Sequence, residues 1–259
     1  MSGKTSLITL TTDFSTRDPY VGIVKGVILG ICPEARIIDL THHIPAQNIN
    51  YALWTLKDSV WYFPEGTVHM AVVDPGVGSN RRPIALRSEG QILVGPDNGI
   101  FSAFLPAEEI VVCNREEFFL PSVSRTFHAR DIFAPVAARL ACGTSLAEVG
   151  DPITDPMEMP VNEARAEEGS ILGRVVQIDH FGNIITNVPG AMIPAGSRVT
   201  VRVRNRQVAG LSQCYSEAEP GGLTCLIGSS GRLEIAVPQG SAAGTLSAGI
   251  GDEVEVEFE

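Results

Sequence analysis

Hydrophobic and polar positions alternate between two periods along the first half of the chain. Residues 6–12 form a β-branched apolar run that stops at Asp13-Phe14-Ser15, and residues 20–31 place apolar side chains at helical spacing before Pro33. Residues 36–40 read as a second short strand. Residues 48–63 read as a helix presenting Tyr51, Leu53, Trp54, Val60 and Trp61, and residues 68–73 as a third strand. Strand–helix–strand–helix–strand order predicts a parallel sheet joined by right-handed crossovers. Past Pro83, residues 84–87 and 91–94 flank Ser88-Glu89-Gly90 as a hairpin, and 110–113 form a further strand. Residues 126–141 read as a helix closing at Gly143, with Pro135 tolerated in its first turn.

The pattern then changes class. Residues 151–169 are rich in Pro, Glu, Asp and Met without periodicity, which predicts a linker. Beyond them, strand-like runs at 171–178, 183–187, 197–203, 207–209, 222–227, 233–237 and 253–258 alternate with Gly, Pro, Asn and Ser. Such spacing without helices predicts a small antiparallel β-barrel-like domain. The fold class is therefore α/β: an N-terminal α/β/α domain with a mainly parallel sheet (1–150), a linker (151–169) and a C-terminal β-barrel-like domain (170–259).

Carboxylates stand where these strands end. The run Val68-His-Met-Ala-Val-Val-Asp-Pro-Gly-Val-Gly-Ser79 halts at Asp74-Pro75-Gly76, which no central strand continues through, and Arg81-Arg82 follows. In open α/β sheets ligands bind at the carboxyl edge of the strands. Any one of Asp13, Asp74, Asp97 or Asp179 is more often a turn residue bonding its own backbone; four together mark a polar cleft without naming its ligand. His42-His43 makes a poor metal pair, because neighbours on a strand point to opposite faces. The Asp74 loop lacks both the Gly-Lys-Ser/Thr ending of a phosphate loop and the Gly-x-Gly-x-x-Gly spacing of a dinucleotide site.

Composition narrows the partners. Lys and Arg number 19 against 30 Asp and Glu, a net charge of −11, which disfavours nucleic acid and anionic membrane surfaces. The 5 cysteines (Cys32, Cys113, Cys142, Cys214, Cys225) are scattered without a Cys-x-x-Cys pair, so reduced thiols are expected, with neither a zinc site nor a disulfide framework. The first residues lack the apolar core of a signal peptide, and no apolar run is long enough to span a bilayer. A cytoplasmic location is the corresponding expectation.

Six segments in order resemble one family: Thr11-Thr12-Asp13-Phe14, Asp74-Pro-Gly-Val-Gly-Ser79 with Arg81-Arg82, Gly95-Pro-Asp-Asn-Gly99, Thr126-Phe-His-Ala-Arg-Asp131, Asp179-His-Phe-Gly-Asn183, and Ser229-Ser-Gly-Arg-Leu-Glu-Ile-Ala-Val237. They look like the S-adenosyl-L-methionine (SAM) hydroxide adenosyltransferases, relatives of the fluorinases and chlorinases. The resemblance implies hydrolysis of SAM to adenosine and L-methionine by water attacking C5′, with SAM as substrate and neither cofactor nor metal. It also implies a homotrimer with sites at subunit interfaces.

Carried over by position, the resemblance puts the catalytic Asp–Arg–His set on Asp74, Arg81 and His128, with Arg82 adjacent to the favoured arginine. Asp13 matches the ribose-binding aspartate, Trp54 the ring-packing tryptophan, and Phe127 another pocket aromatic. Asp179 and Ser229 would hold the methionine end, while Phe181, Asn183, Glu234 and Val237 would line the adenine and nearby pocket. The halogenases place Tyr and Thr where this chain has Asp74 and Val77, and lack the histidine found here at 128, so the hydrolase branch fits better. Two alternatives remain open at this point: a SAM-dependent halogenase, and a SAM- or adenosine-binding sensor with incidental turnover.

Overall fold

The computed structural model describes residues 6–259, which divide into two compact units, the first running to Pro160 and the second from Val161 to Glu259. The first unit carries strands β1 (Leu7–Thr12), β2 (Arg36–Thr41), β3 (Val68–Val72), β4 (Pro83–Ser88), β5 (Gln91–Pro96), β6 (Glu109–Cys113) and β7 (Gly150–Pro152). Its helices are α1 (Tyr20–Ile31), α2 (Ile49–Ser59), α3 (Ala134–Ala141) and α4 (Leu146–Val149). The strands form one sheet in the order β2-β1-β3-β5-β4-β6-β7. Pairing is parallel from β2 through β5 and antiparallel from there to β7.

The sheet is covered on both faces because its strands are apolar on both. Met70 and Val72 of β3 pack with Ile8 and Leu10 of β1 under Val24 and Ile28 of α1 and Val136 and Leu140 of α3. Ala71, and Val73 just past the strand, face the other way, against Ala52 and Leu56 of α2 and the Ile100–Phe104 segment. This is the alternation a doubly covered strand requires. Helix α2 starts at Asn48, whose side chain accepts from the Tyr51 N–H at 2.9 Å. Pro19 takes the cap position of α1, with no side-chain cap hydrogen bond. The β4–β5 turn is a two-residue hairpin with Glu89 and Gly90 both at positive φ (46° and 76°), the primed geometry that matches strand twist.

The second unit carries β8 (Arg165–Glu167), β9 (Ser170–Ile178), β10 (Ile184–Pro189), β11 (Val199–Val203), β12 (Arg206–Ala209), β13 (Thr224–Ile227), β14 (Arg232–Ala236) and β15 (Glu253–Phe258), with a short helix α5 (Ala242–Leu246). Its order, β12-β11-β15-β9-β10-β14-β13, is antiparallel throughout, and a Ser212–Leu226 bridge links the two ends. The sheet is thus a nearly closed barrel around Ile171, Val201, Ile235, Val254 and their neighbours.

The stretch 151–169, expected to be a linker, is divided between the two units and is largely tied down within each. Residues 150–152 pair with β6, where a Cβ on Gly150 would come within 1.7 Å of the Val112 carbonyl oxygen, and 165–167 pair with β9. Between them, Asp155 meets Arg82 at 2.8 Å and the Met157 N–H donates to Asp97 at 2.7 Å. Polar tethers of this kind leave no hydrophobic period to read. The thiols are also not all free: Cys32 and Cys142, 110 residues apart, form a disulfide between the carboxyl ends of α1 and α3, leaving Cys113, Cys214 and Cys225 as thiols. Helix packing brings them together across a separation that no spacing motif encodes.

Closing a loop of this length is worth about 4–5 kcal/mol in the chain-entropy account and typically 2–4 in practice. Acid-quenched cells, denatured and alkylated without reductant, are expected to yield chain carrying three alkyl groups, and Cys32→Ser to unfold at lower denaturant. Five alkylated cysteines would remove the bond.

Candidate active site

Strand order reverses between β1 and β3, because the first crossover runs outward to β2 and the second returns past β1. The carboxyl edge at such a switch point is a natural crevice. In parallel register, Thr12 lies opposite Val72, so the chain leaves the sheet at Asp13 and Asp74 side by side. A cavity of about 520 Å³ opens here, lined by Asp13, Phe14, Tyr20, Gln47, Asp74, Val77, Phe127 and His128 among others.

Each wall is fixed locally. The Asp13 carboxylate accepts from the Gln47 N–H at 2.8 Å. The Thr12 hydroxyl meets His42 Nδ1 at 2.8 Å, and His42 Nε2 lies 3.0 Å from Asp39. His42 is buried while His43 is exposed, so the pair points apart, and His42 serves as a brace under the Asp13 loop. Among the described residues, no three His, Cys, Asp or Glu side chains are arranged to hold a metal ion. Phe14, Tyr20 and Phe127 meet edge-to-face with ring centroids 5.3–6.1 Å apart and form an aromatic wall.

The Gly-rich loop folds Arg81 back onto Asp74. Its turns are closed by Val77 N–H to the Asp74 carbonyl (3.2 Å) and Ser79 N–H to the Gly76 carbonyl (3.1 Å). Arg81 Nε then donates to both Asp74 oxygens at 3.1 and 3.0 Å, Nη2 donates to Oδ2 at 2.5 Å, and the guanidinium lies over the Phe133 ring. Both side chains are almost wholly buried, at 7 and 5 % exposure. The same Nη2 lies 2.8 Å from His128 Nδ1. Arg82 points elsewhere and pairs with Asp97 and Asp155, so of the two adjacent arginines Arg81 belongs to this cluster.

His128 stands at the mouth of a π-type turn (Ala129–Phe133) that runs into α3, rather than inside the helix expected from residue 126. A guanidinium has no acceptor, so Nδ1 must accept and the neutral ring carries its proton on Nε2. Burial lowers the His128 pKa from its ordinary 6.5, the Arg81 charge lowers it further, and the Asp74 and Asp131 carboxylates oppose both. The imidazole is therefore neutral at pH 7. Protonating Nδ1 would set a donor against a donor and break the contact with Arg81.

Trp54 is 3 % exposed, on the inner face of α2 with Ala52, Leu53 and Leu56, and is not among the residues that line this cavity. Helical spacing buries it, and Gln47, held at positive φ in the loop before α2, takes the place on the cavity wall. Gln47, Tyr20 and Phe14 were not singled out from sequence; the signal for Tyr20 was its place at the first residue of a helix leaving a strand-end carboxylate.

In the second unit, Asp179, Phe181, Asn183, Tyr215 and Val237 line a separate cavity of about 740 Å³. The Asp179 carboxylate accepts from the backbone N–H groups of Phe181 and Asn183 and from the Asn183 amide, all at 2.9 Å, which holds Phe181 out at 74 % exposure. Glu234 accepts from the Tyr215 hydroxyl at 2.5 Å; burial raises its pKa, and burial together with Glu234 pushes the Tyr215 hydroxyl up to about 12. Ser229 lies exposed on the β13–β14 turn, outside this cavity. Tyr215 was missed because it sits alone in a polar stretch without period.

Residues 8–150 match the N-terminal domain of the SAM hydroxide adenosyltransferases and residues 173–255 match their C-terminal domain. The chain belongs to this family. Relatives named (R)-S-adenosyl-L-methionine hydrolase include one from Salinispora arenicola, 37% identical over 98% of both chains. Another, from Methanocaldococcus jannaschii, is 35% identical over 97% of this chain and 96% of its own. A fluorinase from Actinopolyspora mzabensis is more distant, 27% identical over 70% of this chain and 71% of its own. An uncharacterised conserved protein from Thermotoga maritima has the same fold, with a TM-score of 0.92 and 35% identity over 96% of this chain and 99% of its own.

The Arg81–His128 contact makes a direct prediction. Histidine NMR should show His128 as the Nε2–H tautomer with a midpoint below 6.5, and Arg81→Met should raise that midpoint. A midpoint at or above 6.5 in the wild type would contradict the Arg81–His128 contact.

Proposed function

We propose that this chain hydrolyses S-adenosyl-L-methionine to adenosine and L-methionine by attack of an activated water on C5′. The observation that carries the proposal is the Asp74–Arg81–His128 cluster at the cavity wall, its ion pair almost wholly buried, in a chain whose full-length relatives are named for that hydrolysis. Their names specify the (R) sulfonium epimer, and the same epimer is proposed here. A sulfonium leaves as a neutral thioether, so the leaving group needs no acid. What the reaction needs is a water held in line with the C5′–S bond and relieved of a proton. Asp74 offers the acceptor; His128 Nε2–H offers a donor that fixes the water's oxygen; Arg81 holds both groups in place. Positioning of this kind supplies at most about 7–11 kcal/mol of a barrier.

Asp13 suits the ribose hydroxyls, and Phe127 with Phe14 and Tyr20 suits the flat and cationic parts of the substrate. In the second unit, Asp179, Phe181, Asn183, Ser229, Glu234 and Val237 remain proposed substrate contacts, with Tyr215 added. The reaction as written uses no metal and no cofactor. The family resemblance supports a homotrimer with sites at subunit interfaces, and light scattering at the mass of three chains is the expected result; a stable monomer would undo the shared-site arrangement. No helix among the described residues is long and apolar enough to cross a membrane. A cytoplasmic location belongs to the same reading, and the Cys32–Cys142 bond stands against it, since reducing compartments keep thiols free. The acid-quenched alkylation described above decides between the two.

Purified protein incubated with SAM should yield adenosine and methionine in amounts that excess chloride leaves unchanged. Asp74→Ala and His128→Ala should each lower kcat by roughly 10²-fold or more, on the scale of losing a positioned acid–base group. A 5′-halo-adenosine product would move the chain to halide chemistry. Retention of intact SAM without turnover would make it a sensor.

A further inference from the structure

One fully buried carboxylate beneath the active-site wall has no part in the proposed chemistry. Asp131 is 0 % exposed, on the π-type turn just past His128. Its Oδ2 accepts the Ser124 N–H at 2.8 Å, and its two oxygens pair with Arg130 Nε at 2.6 Å and Nη2 at 3.0 Å. Its own N–H donates to the Phe127 carbonyl at 3.2 Å, and its carbonyl accepts from Leu120 N–H at 2.9 Å. Arg130, oriented by this pair, lies over the Phe127 ring at 5.1 Å. Ser124, Thr126, Phe127, His128 and Arg130 all line the cavity. The loop that delivers His128 is thus pinned from below by one side chain.

The opposite side of the same loop is fixed by contact. Gly78, at φ +77° in the loop that carries Asp74 and Arg81, lies against the Arg125 backbone, where an added Cβ would stand 2.3 Å from the Arg125 carbonyl oxygen. Backbone cannot yield there as the end of a flexible side chain could. Any side chain at 78 must push the two loops apart.

We infer that Asp131 and Gly78 are positioning residues that together set the spacing between His128 and the Asp74–Arg81 pair. The inference rests on the hydrolase reading for its kinetic consequence but not for its geometry. Asp131 anchors the 124–128 loop through Ser124 and Arg130; Gly78, having no Cβ, lets the Asp74 loop approach it closely. Neither is among the residues that line the cavity. A displacement of about 1 Å in such a constellation can lower a rate by about 10²-fold.

Two variants test this with opposite signatures. The charged groups facing His128 are Arg81 and Asp74 from the loop after β3 and Asp131 from its own turn; Arg81 lowers its pKa and both carboxylates raise it. Asp131→Asn keeps an acceptor for Ser124 but loses the charge, so the His128 NMR midpoint should fall below that of the wild type. Gly78→Ala leaves every charge in place but separates His128 from Arg81 and opens the site to water, so the midpoint should rise. Both should lower kcat by roughly 10- to 100-fold while adenosine affinity, measured by calorimetry, changes by less than about threefold, the split expected of groups that act in the transition state. A purely structural role would lower Tm without moving the midpoints in opposite directions. If Asp131→Asn does not fold, Gly78→Ala, on an exposed loop, decides alone. Wild-type kcat and midpoint in Gly78→Ala overturn the inference. Absence of SAM turnover in the wild type would instead sink the hydrolase reading, and the two midpoints would still judge the positioning.

Discussion

Arg81 constrains everything around it. A guanidinium presents five donors and no acceptor, and here it is almost wholly buried between a carboxylate and an imidazole. Burying such a charge is tolerable only when it is paired and hydrogen-bonded; removing one member of a buried pair costs about 3–5 kcal/mol. Asp74 must therefore present both oxygens, and His128 must present an unprotonated Nδ1. The tight Gly76–Ser79 turns, the π-type turn at Ala129–Phe133 and the Phe133 ring beneath the guanidinium are the means by which backbone and core meet those demands.

The sheet supplies the place where they can be met. The chain leaves β1 and β3 side by side but turns in different directions, which leaves a gap at the carboxyl edge that no crossover helix covers. Asp13 and Asp74 stand at that gap because each follows a strand whose register is locked by burial on both faces; a slip of one residue would send every core side chain to the wrong layer. Precision at the carboxylates is thus inherited from packing far from them.

How much of this was legible in the sequence depended on whether the signal was local. The strand ends at Asp13 and Asp74 were readable because apolar runs stop abruptly at Asp-Phe-Ser and Asp-Pro-Gly. The barrel was readable from evenly spaced strands and turn residues. Spacing from Asp74 favoured Arg81 without excluding Arg82, and only the contacts with Asp97 and Asp155 reveal where Arg82 goes. The ring-packing role of Trp54 came from the resemblance alone, since an aromatic on an amphipathic helix reads first as core, and Gln47 in the loop before that helix carried no aromatic signal. The Cys32–Cys142 bond and the Asp131–Ser124 contact depend on three-dimensional neighbours, the first across 110 residues. Resemblance to the family joined the distant segments that period and composition had left separate.

The same cluster bears on the choice of nucleophile. A halide seeks unmatched positive charge or convergent donors, and the positive charge of Arg81 is already matched by Asp74 at hydrogen-bond distance. The paired charges leave little net attraction for an anion at this wall, and the acceptor oxygens of Asp74 offer it no hydrogen bond. Water meets neither obstacle: it can donate to Asp74 and accept from His128 Nε2–H in one geometry. Under the proposed mechanism, discrimination against halide and orientation of water come from a single arrangement, and a substitution that opened the site to halide by removing Asp74 would also remove the acceptor for the water's proton. Trading one nucleophile for the other consequently requires rebuilding the wall around Arg81 rather than changing one residue, because Arg81, left without its carboxylate, would become an unpaired buried charge.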